Sequence, residues 1–328
     1  MSAPERIPPG RMNGSRSDRG TAPAAEATRE LLTRGTLRVH GRIMAASNAV
    51  LFGTVEHEDH SLACVYKPVA GERPLWDFPD GNLAQREVAA YEISRATGWD
   101  LIPATVLREG PYGAGMCQAW VGELPDAEAD AEAGAERADD AADGAEPAGA
   151  ATDQDEVSAA EDPAPDEPAP LLALVDGDEP GEGWKAVGFA DVSDGRTALL
   201  VHADDPRLRR LAVLDAVINN GDRKGGHLLP RPDGALYAID HGVTFHVDDK
   251  LRTLLWGWAG EELTGEAVEA LRLLSAGLAE GAPLAARLTE LLTEAEVEAT
   301  RKRVEALLSS GRHPLPSGEW PAIPWPPV

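Results

Sequence analysis

In the first third of the chain apolar and polar residues alternate, and in the last third apolar residues return every three or four positions. Thr36 to Met44 (TLRVHGRIM), Val50 to His57 (VLFGTVEH) and Ser61 to Lys67 (SLACVYK) carry the alternating, β-branched pattern of strands and predict a small antiparallel sheet. Ala25 to Arg34 predicts one or two helical turns. Asn82 to Thr97 predicts a helix, with Leu83, Val88, Tyr91 and Ile93 on one side and Gly98 as its stop. Ile102 to Leu107 and Gly115 to Val121 read as two further strands. Asp205 to Asn220 reads as a helix with Asp205 as N-cap and Pro206 in its first turn. Further helices are expected from Thr264 to Leu278, Pro283 to Leu292 and Thr293 to Leu308. Strands come first and helices after, which is an α+β pattern in two lobes.

Composition changes that picture at one place. The net charge is −26, but Glu123 to Gly183 holds 21 acidic residues against Arg137 alone, a balance of −20, which leaves −6 for the rest. Glu123 to Pro170 is Ala, Asp, Glu, Pro and Gly without aromatics and cannot bury enough apolar surface to fold, so it reads as a disordered acidic insertion. An acidic docking tail is the other reading of it. The expected organisation is a disordered N-terminus over 1–24, an N-lobe over 25–122, the insertion over 123–170, a C-lobe over 171–312 and a proline-rich tail over 313–328. That tail is either a wrap or a free end.

The absence of a basic face argues against nucleic-acid binding. No apolar run approaches the roughly 20 residues of a membrane span, so no membrane insertion is expected. No signal peptide is visible, and Cys64 and Cys117 lack metal or CxxC spacing and read as reduced buried thiols. The expected location is cytoplasmic.

The candidate chemistry lies between Leu208 and His246. An apolar helix ends at Asn219-Asn220, and a glycine-rich loop follows with Asp222, Arg223, Lys224 and His227. Two short apolar runs, His227 to Pro230 and Leu236 to Ile239, flank the turn Pro232-Asp233-Gly234 and predict a hairpin. Asp240 follows directly, in Asp240-His241-Gly242. Two carboxylates thus stand at opposite ends of one hairpin, aimed at one point.

Strand with Lys67, helix with a glutamate, then Asn220-Gly221-Asp222-Arg223 and Ile239-Asp240-His241-Gly242 at this spacing resemble the protein-kinase-like fold. The resemblance is to its PI3/PI4-kinase-like branch, which includes the bacterial HipA-type kinases. It covers roughly Leu37 to Leu308 apart from the insertion, and its motifs are specific together and weak singly. It implies ATP bound between the lobes with Mg²⁺ or Mn²⁺. Asp222 then orients the acceptor hydroxyl and Asp240 holds the metal. Lys67 binds phosphates and pairs with Glu87, although Glu92 is close enough to compete. Lys224 either neutralises the transferring phosphoryl group or is a surface lysine.

His227 stands where the family carries a metal-binding Asn. It is a softer ligand, a mark of one-metal or impaired chemistry, or a structural histidine. Ser47, in a loop poor in glycine, offers a hydroxyl to phosphate. Gln118 and Trp120 sit where the adenine-binding hinge is expected, and core packing is the alternative for Trp120. The acceptor is a hydroxyl-bearing protein or a small molecule. Two other readings remain: a nucleotide-binding pseudokinase that regulates a partner, and a scaffold that recruits a basic partner through its acidic insertion.

Overall fold

The computed structural model describes residues 21–43, 49–73, 75–78, 80–122, 124, 169–192 and 196–327. Ser47, residues 1–20 and residues 125–168 lie outside the described residues, and with them most of the N-terminal and acidic segments discussed above. Strands β1 (Thr36–Arg42), β2 (Leu51–His57), β3 (His60–Pro68), β4 (Thr105–Gly110) and β5 (Gly113–Ala119) form one antiparallel sheet in the order β1-β2-β3-β5-β4. Helix α1 (Thr21–Arg34) is longer than the one or two turns expected. Tertiary bonds hold its C-terminal end, where Arg108 of β4 donates to the carbonyls of Leu32 and Gly35.

Helix α2 (Leu83–Thr97) connects the two halves. The Asn82 side chain caps it by accepting from Gln85 N–H at 2.8 Å, and the Glu72 carboxylate accepts from Leu83 and Ala84 N–H, each at 2.8 Å. A carboxylate at this end also suits the helix dipole. Gly98, in the left-handed region at φ 72°, ends the helix. Val88 and Ile93 belong to one core cluster with Tyr66 and Met116 of the sheet and with Leu214 and Leu271 of the helical half. Each such fully buried side chain contributes roughly 1.5–3 kcal/mol. Arg86, 3% exposed, donates to the carbonyls of Thr244 and Asp80 and pairs with Glu296.

The second half opens with a sheet that the apolar pattern did not reveal. Strands β6 (Leu172–Val175), β7 (Trp184–Val192) and β8 (Arg196–Ala203) form an antiparallel sheet in the order β6-β8-β7. Its register shifts between Ala186 and Gly188, which breaks the two-residue period in β7. Then come α3 (Pro206–Ile218), the hairpin β9 (Leu228–Pro230) and β10 (Leu236–Ala238), a 3-10 turn at Trp256–Trp258, and helices α4 (Gly265–Gly277), α5 (Pro283–Thr289) and α6 (Glu294–Ser310). The architecture is mixed α+β, with an antiparallel sheet in the N-terminal region and a helical C-terminal part.

The proline-rich tail is a wrap. Pro327 O accepts from Gly225 N–H at 2.8 Å, and Ala322 O accepts from Thr253 N–H at 3.1 Å and from the Trp256 indole at 2.8 Å. Both cysteines are free and buried. No helix among the described residues is long and apolar enough to cross a membrane.

Candidate active site

Lys67 is the penultimate residue of β3, paired across the sheet with Met116, and strand alternation puts it on the face opposite Cys64 and Tyr66. Its ammonium donates to Glu87 Oε1 at 2.6 Å and to Asp240 Oδ1 at 3.0 Å. Glu87 is 2% exposed, and its other oxygen accepts from His241 N–H at 3.0 Å. One carboxylate of α2 therefore fixes both the lysine and the backbone beside Asp240. Glu92 is occupied elsewhere, by Arg95, Arg29 and Arg287.

Asp240 has a left-handed backbone at φ 61°, a conformation that Asp tolerates better than most residues. Its side chain stays half exposed (52%). A Cβ on the nearby Gly242 would meet Leu83 Cβ at 3.2 Å, so glycine allows this loop to lie against the start of α2. Lys67 beside Asp240 holds its carboxyl well below the usual carboxylate range, against burial and with help from His227. Burial pulls the Lys67 ammonium down, but Glu87 and Asp240 outweigh it, so its pKa lies above its ordinary value. Burial pushes the Glu87 carboxyl up, with Lys67 opposing.

Asp222 follows the left-handed C-cap of α3 at Asn219. Its N–H donates to Asn220 Oδ1 at 3.0 Å. Lys224 lies 3.2 Å from one carboxylate oxygen and Arg252 3.3 Å from the other. Asp222, Lys67, Glu87 and Asp240 line one cavity of about 210 Å³, together with Glu72 and Gly242.

Residues adjacent in sequence to these acids lock the two loops together. Arg223 and Asp215 are both fully buried and ion-paired at 3.0 Å. Arg223 also donates to Ile239 O at 3.0 Å and to His241 Nε2 at 2.6 Å. Burial first, and then Arg223, hold the fully buried His241 imidazole well below its ordinary pKa, so it is neutral. The Arg252–Asp222 and Arg223–Asp215 contacts have no signal in the sequence, whereas His241 beside Asp240 reads as a residue that orients the turn.

Asp240 suits a divalent cation, a carboxylate oxygen open to a cavity being a hard ligand for Mg²⁺ or Mn²⁺. The fit of His227 is different. Its Nε2 lies 3.5 Å from Asp240 Oδ2, and its Nδ1 accepts from Lys224 N–H at 3.4 Å. With Nδ1 an acceptor, Nε2 carries the proton on the side of Asp240; a metal at Nε2 requires the other tautomer. Burial lowers the His227 pKa against the pull of Asp240. Among the described residues no cluster of three or more His, Cys, Asp or Glu has metal-binding geometry.

The two residues expected at the adenine hinge do not line this cavity. Gln118 is buried, its amide donating to Thr105 Oγ at 2.9 Å, and Trp120 packs edge-on to Phe52 at 5.3 Å between ring centroids.

Fold and site define an α+β protein of two joined halves with a cation–carboxylate chain and a second acid on one cavity. The chain belongs to the family of Protein Rv2133c of Mycobacterium tuberculosis, to which it is 44% identical over 298 residues, 90% of this chain and 94% of that one. No protein-family model matches it. Among solved structures it is similar to the Golgi casein kinase, at 12% identity over 89% of this chain and 75% of that one, with a TM-score of 0.45. The Golgi casein kinase with Mn/ADP bound gives 12% identity, 93% and 80% coverage and a TM-score of 0.45. Hydra Fam20 with sugar gives 11% identity, 89% coverage of both chains and a TM-score of 0.49.

Proposed function

We propose that the protein is an ATP-dependent phosphotransferase of the PI3/PI4-kinase-like type, acting on a hydroxyl of a protein or small molecule. The N-lobe is 25–122 and the C-lobe 171–312. The observation that carries this reading is the chain Glu87–Lys67–Asp240, at 2.6 and 3.0 Å, facing the same cavity as Asp222. A cavity of about 210 Å³ is small for a whole nucleotide and suits its phosphate end.

Lys67, held in place by Glu87, binds phosphate oxygens. Asp240 holds the divalent ion, which when bound neutralises phosphate charge and polarises the P–O bond. His227 donates to Asp240 and orients it. Asp222 takes the proton from the acceptor hydroxyl as its oxygen bonds to the γ-phosphorus and the bond to the β-phosphate oxygen breaks, releasing ADP. Lys224 and Arg252 restrain Asp222 and offer positive charge to the transferring group.

A second reading, a nucleotide-binding pseudokinase, is favoured by one observation. Both oxygens of Asp222 are ion-paired, which opposes its work as a base. Transfer of labelled γ-phosphate to a panel of hydroxyl peptides and polyols, with Asp222→Asn beside wild type, separates the two. The enzyme reading expects wild-type transfer and a loss of about a hundredfold or more in the variant with nucleotide binding kept. Nucleotide binding without transfer in wild type supports the pseudokinase.

A further inference from the structure

A larger cavity of about 730 Å³ lies along α6, and Asn219 and Leu251, which flank the Asp222 and Arg252 segments, form part of its wall. Ala216, Leu251, Ala299, Leu307 and Leu315 make it mainly apolar, and Leu315 is 68% exposed. Its size is that of a small-molecule site. Arg303 is the cation of this wall whose side chain is bound only to neutral groups. Arg303 donates to Val217 O at 2.9 Å, His246 O at 3.1 Å and Thr300 Oγ at 3.0 Å, all neutral acceptors. Three of the five guanidinium N–H groups are used in this way and two remain.

Among the described residues no carboxylate lies within 4.0 Å of Arg303. Asp249, also on the wall, accepts from Leu251 N–H at 3.3 Å. Glu298 is taken by Arg301 and Lys302, and Glu296 by Arg86. Burial brings the Arg303 pKa down to about 10, with Asp249 and Glu296 opposing, so the group stays charged at neutral pH. A half-buried cation with no carboxylate in direct contact, on a mainly apolar wall, is costly unless an anion joins it; Asp249 acts on it only from a distance.

We propose that this cavity binds an amphipathic anion, its apolar chain or ring against Leu251, Leu307 and Leu315 and its carboxylate or phosphate on Arg303. Guanidinium recognises both head groups through paired N–H donors. Lys302 and Arg312 stand on the same wall but are paired with Glu298 and Glu262, so Arg303 is the cation left for the head group. The site also has a physical route to the Asp222 loop. Arg303 and Asn219 both donate to His246 O, at 3.1 and 2.9 Å, and Asn219 accepts from Lys250 N–H at 3.0 Å. That segment leads to Arg252, the partner of Asp222. Binding itself is independent of the kinase reading.

The test is calorimetric titration of the full chain with decanoate, decyl phosphate and decanol, repeated on Ala299→Trp and Arg303→Leu, each checked by thermal melting. At least one anion is expected to bind about tenfold or more tightly than decanol. Ala299→Trp, which fills the cavity and keeps Arg303, is expected to remove binding. Arg303→Leu is expected to bring the anion down to the level of decanol. Equal affinity for decanol and both anions, no anion binding, or unchanged binding in a folded Ala299→Trp variant would each overturn the proposal. Should Arg303→Leu fail to fold, Ala299→Trp and the decanol comparison still decide it. The tighter of the two anions identifies the head group.

Discussion

Lys67 is, among the described residues, the one cation paired with both Glu87 and Asp240, and the two carboxylates depend on it unequally. Asp240 is half exposed and can be hydrated, whereas Glu87 is 2% exposed and without Lys67 is a buried anion held by one backbone N–H. Lys67→Met is therefore expected to destabilise the fold by about 3 kcal/mol. Urea denaturation measures this, and the double variant Lys67→Met with Glu87→Gln should recover much of the loss. No recovery would mean that the lysine stem, rather than the unpaired charge, carries the effect. His227→Asn keeps an N–H donor for Asp240 and is expected to retain or raise Mg²⁺-dependent transfer; loss of transfer from a folded variant would contradict the role given to His227. At this scale the sequence was informative about acids next to glycine and turn signals, because Asp222 and Asp240 sit at the ends of a local hairpin. It was silent on Arg252, which meets Asp222 from 30 residues away through a segment without regular structure.

At the scale of elements, the hairpin β9–β10 and the buried pair behind it hold the candidate site together. Arg223 joins the Asp222 loop to Ile239 and His241, so breaking its pair with Asp215 leaves a buried carboxylate and separates the two loops. Arg223→Leu is expected to cost about 3–5 kcal/mol, read as a fall in the urea midpoint. A loss within about 0.5 kcal/mol would show that the network is not structural. The hairpin and α2 were legible because each carries its own punctuation: Gly234 in one turn, and Asn82 and Gly98 at the helix ends. The sheet β6–β8 was not, because the register shift near Gly188 breaks the alternation of β7. Only the pairing with β8, which tertiary structure supplies, makes that stretch a strand.

Across the whole molecule, buried histidines tie stability to pH. His313 is 4% exposed, and burial, aided by Arg209, lowers its pKa from 6.5 to about 4. Between those values the unfolded chain takes up a proton that the folded chain refuses, so stability falls as pH drops through the window and levels off below it for this group. The loss from His313 is on the order of 3 kcal/mol. His202 and His241 are shifted in the same direction, both chiefly by burial. Urea midpoints from pH 7 to 4 should therefore fall, and fall less in His313→Gln; an identical slope in the two proteins would remove His313 from the explanation.

The most direct test of the central claim is thermal melting with ATP and Mg²⁺ or Mn²⁺, on wild type and on Asp240→Ala. The variant should fold, because Lys67 keeps its closer partner Glu87 at 2.6 Å. A ligand at free concentration L that binds only the folded chain stabilises it by RT ln(1 + L/Kd) and so raises its melting temperature. The expected result is a metal-dependent rise in wild type that disappears in Asp240→Ala. No rise with either metal in well-folded wild type, or the same rise in the variant, would contradict a nucleotide-phosphate site at Lys67, Glu87 and Asp240.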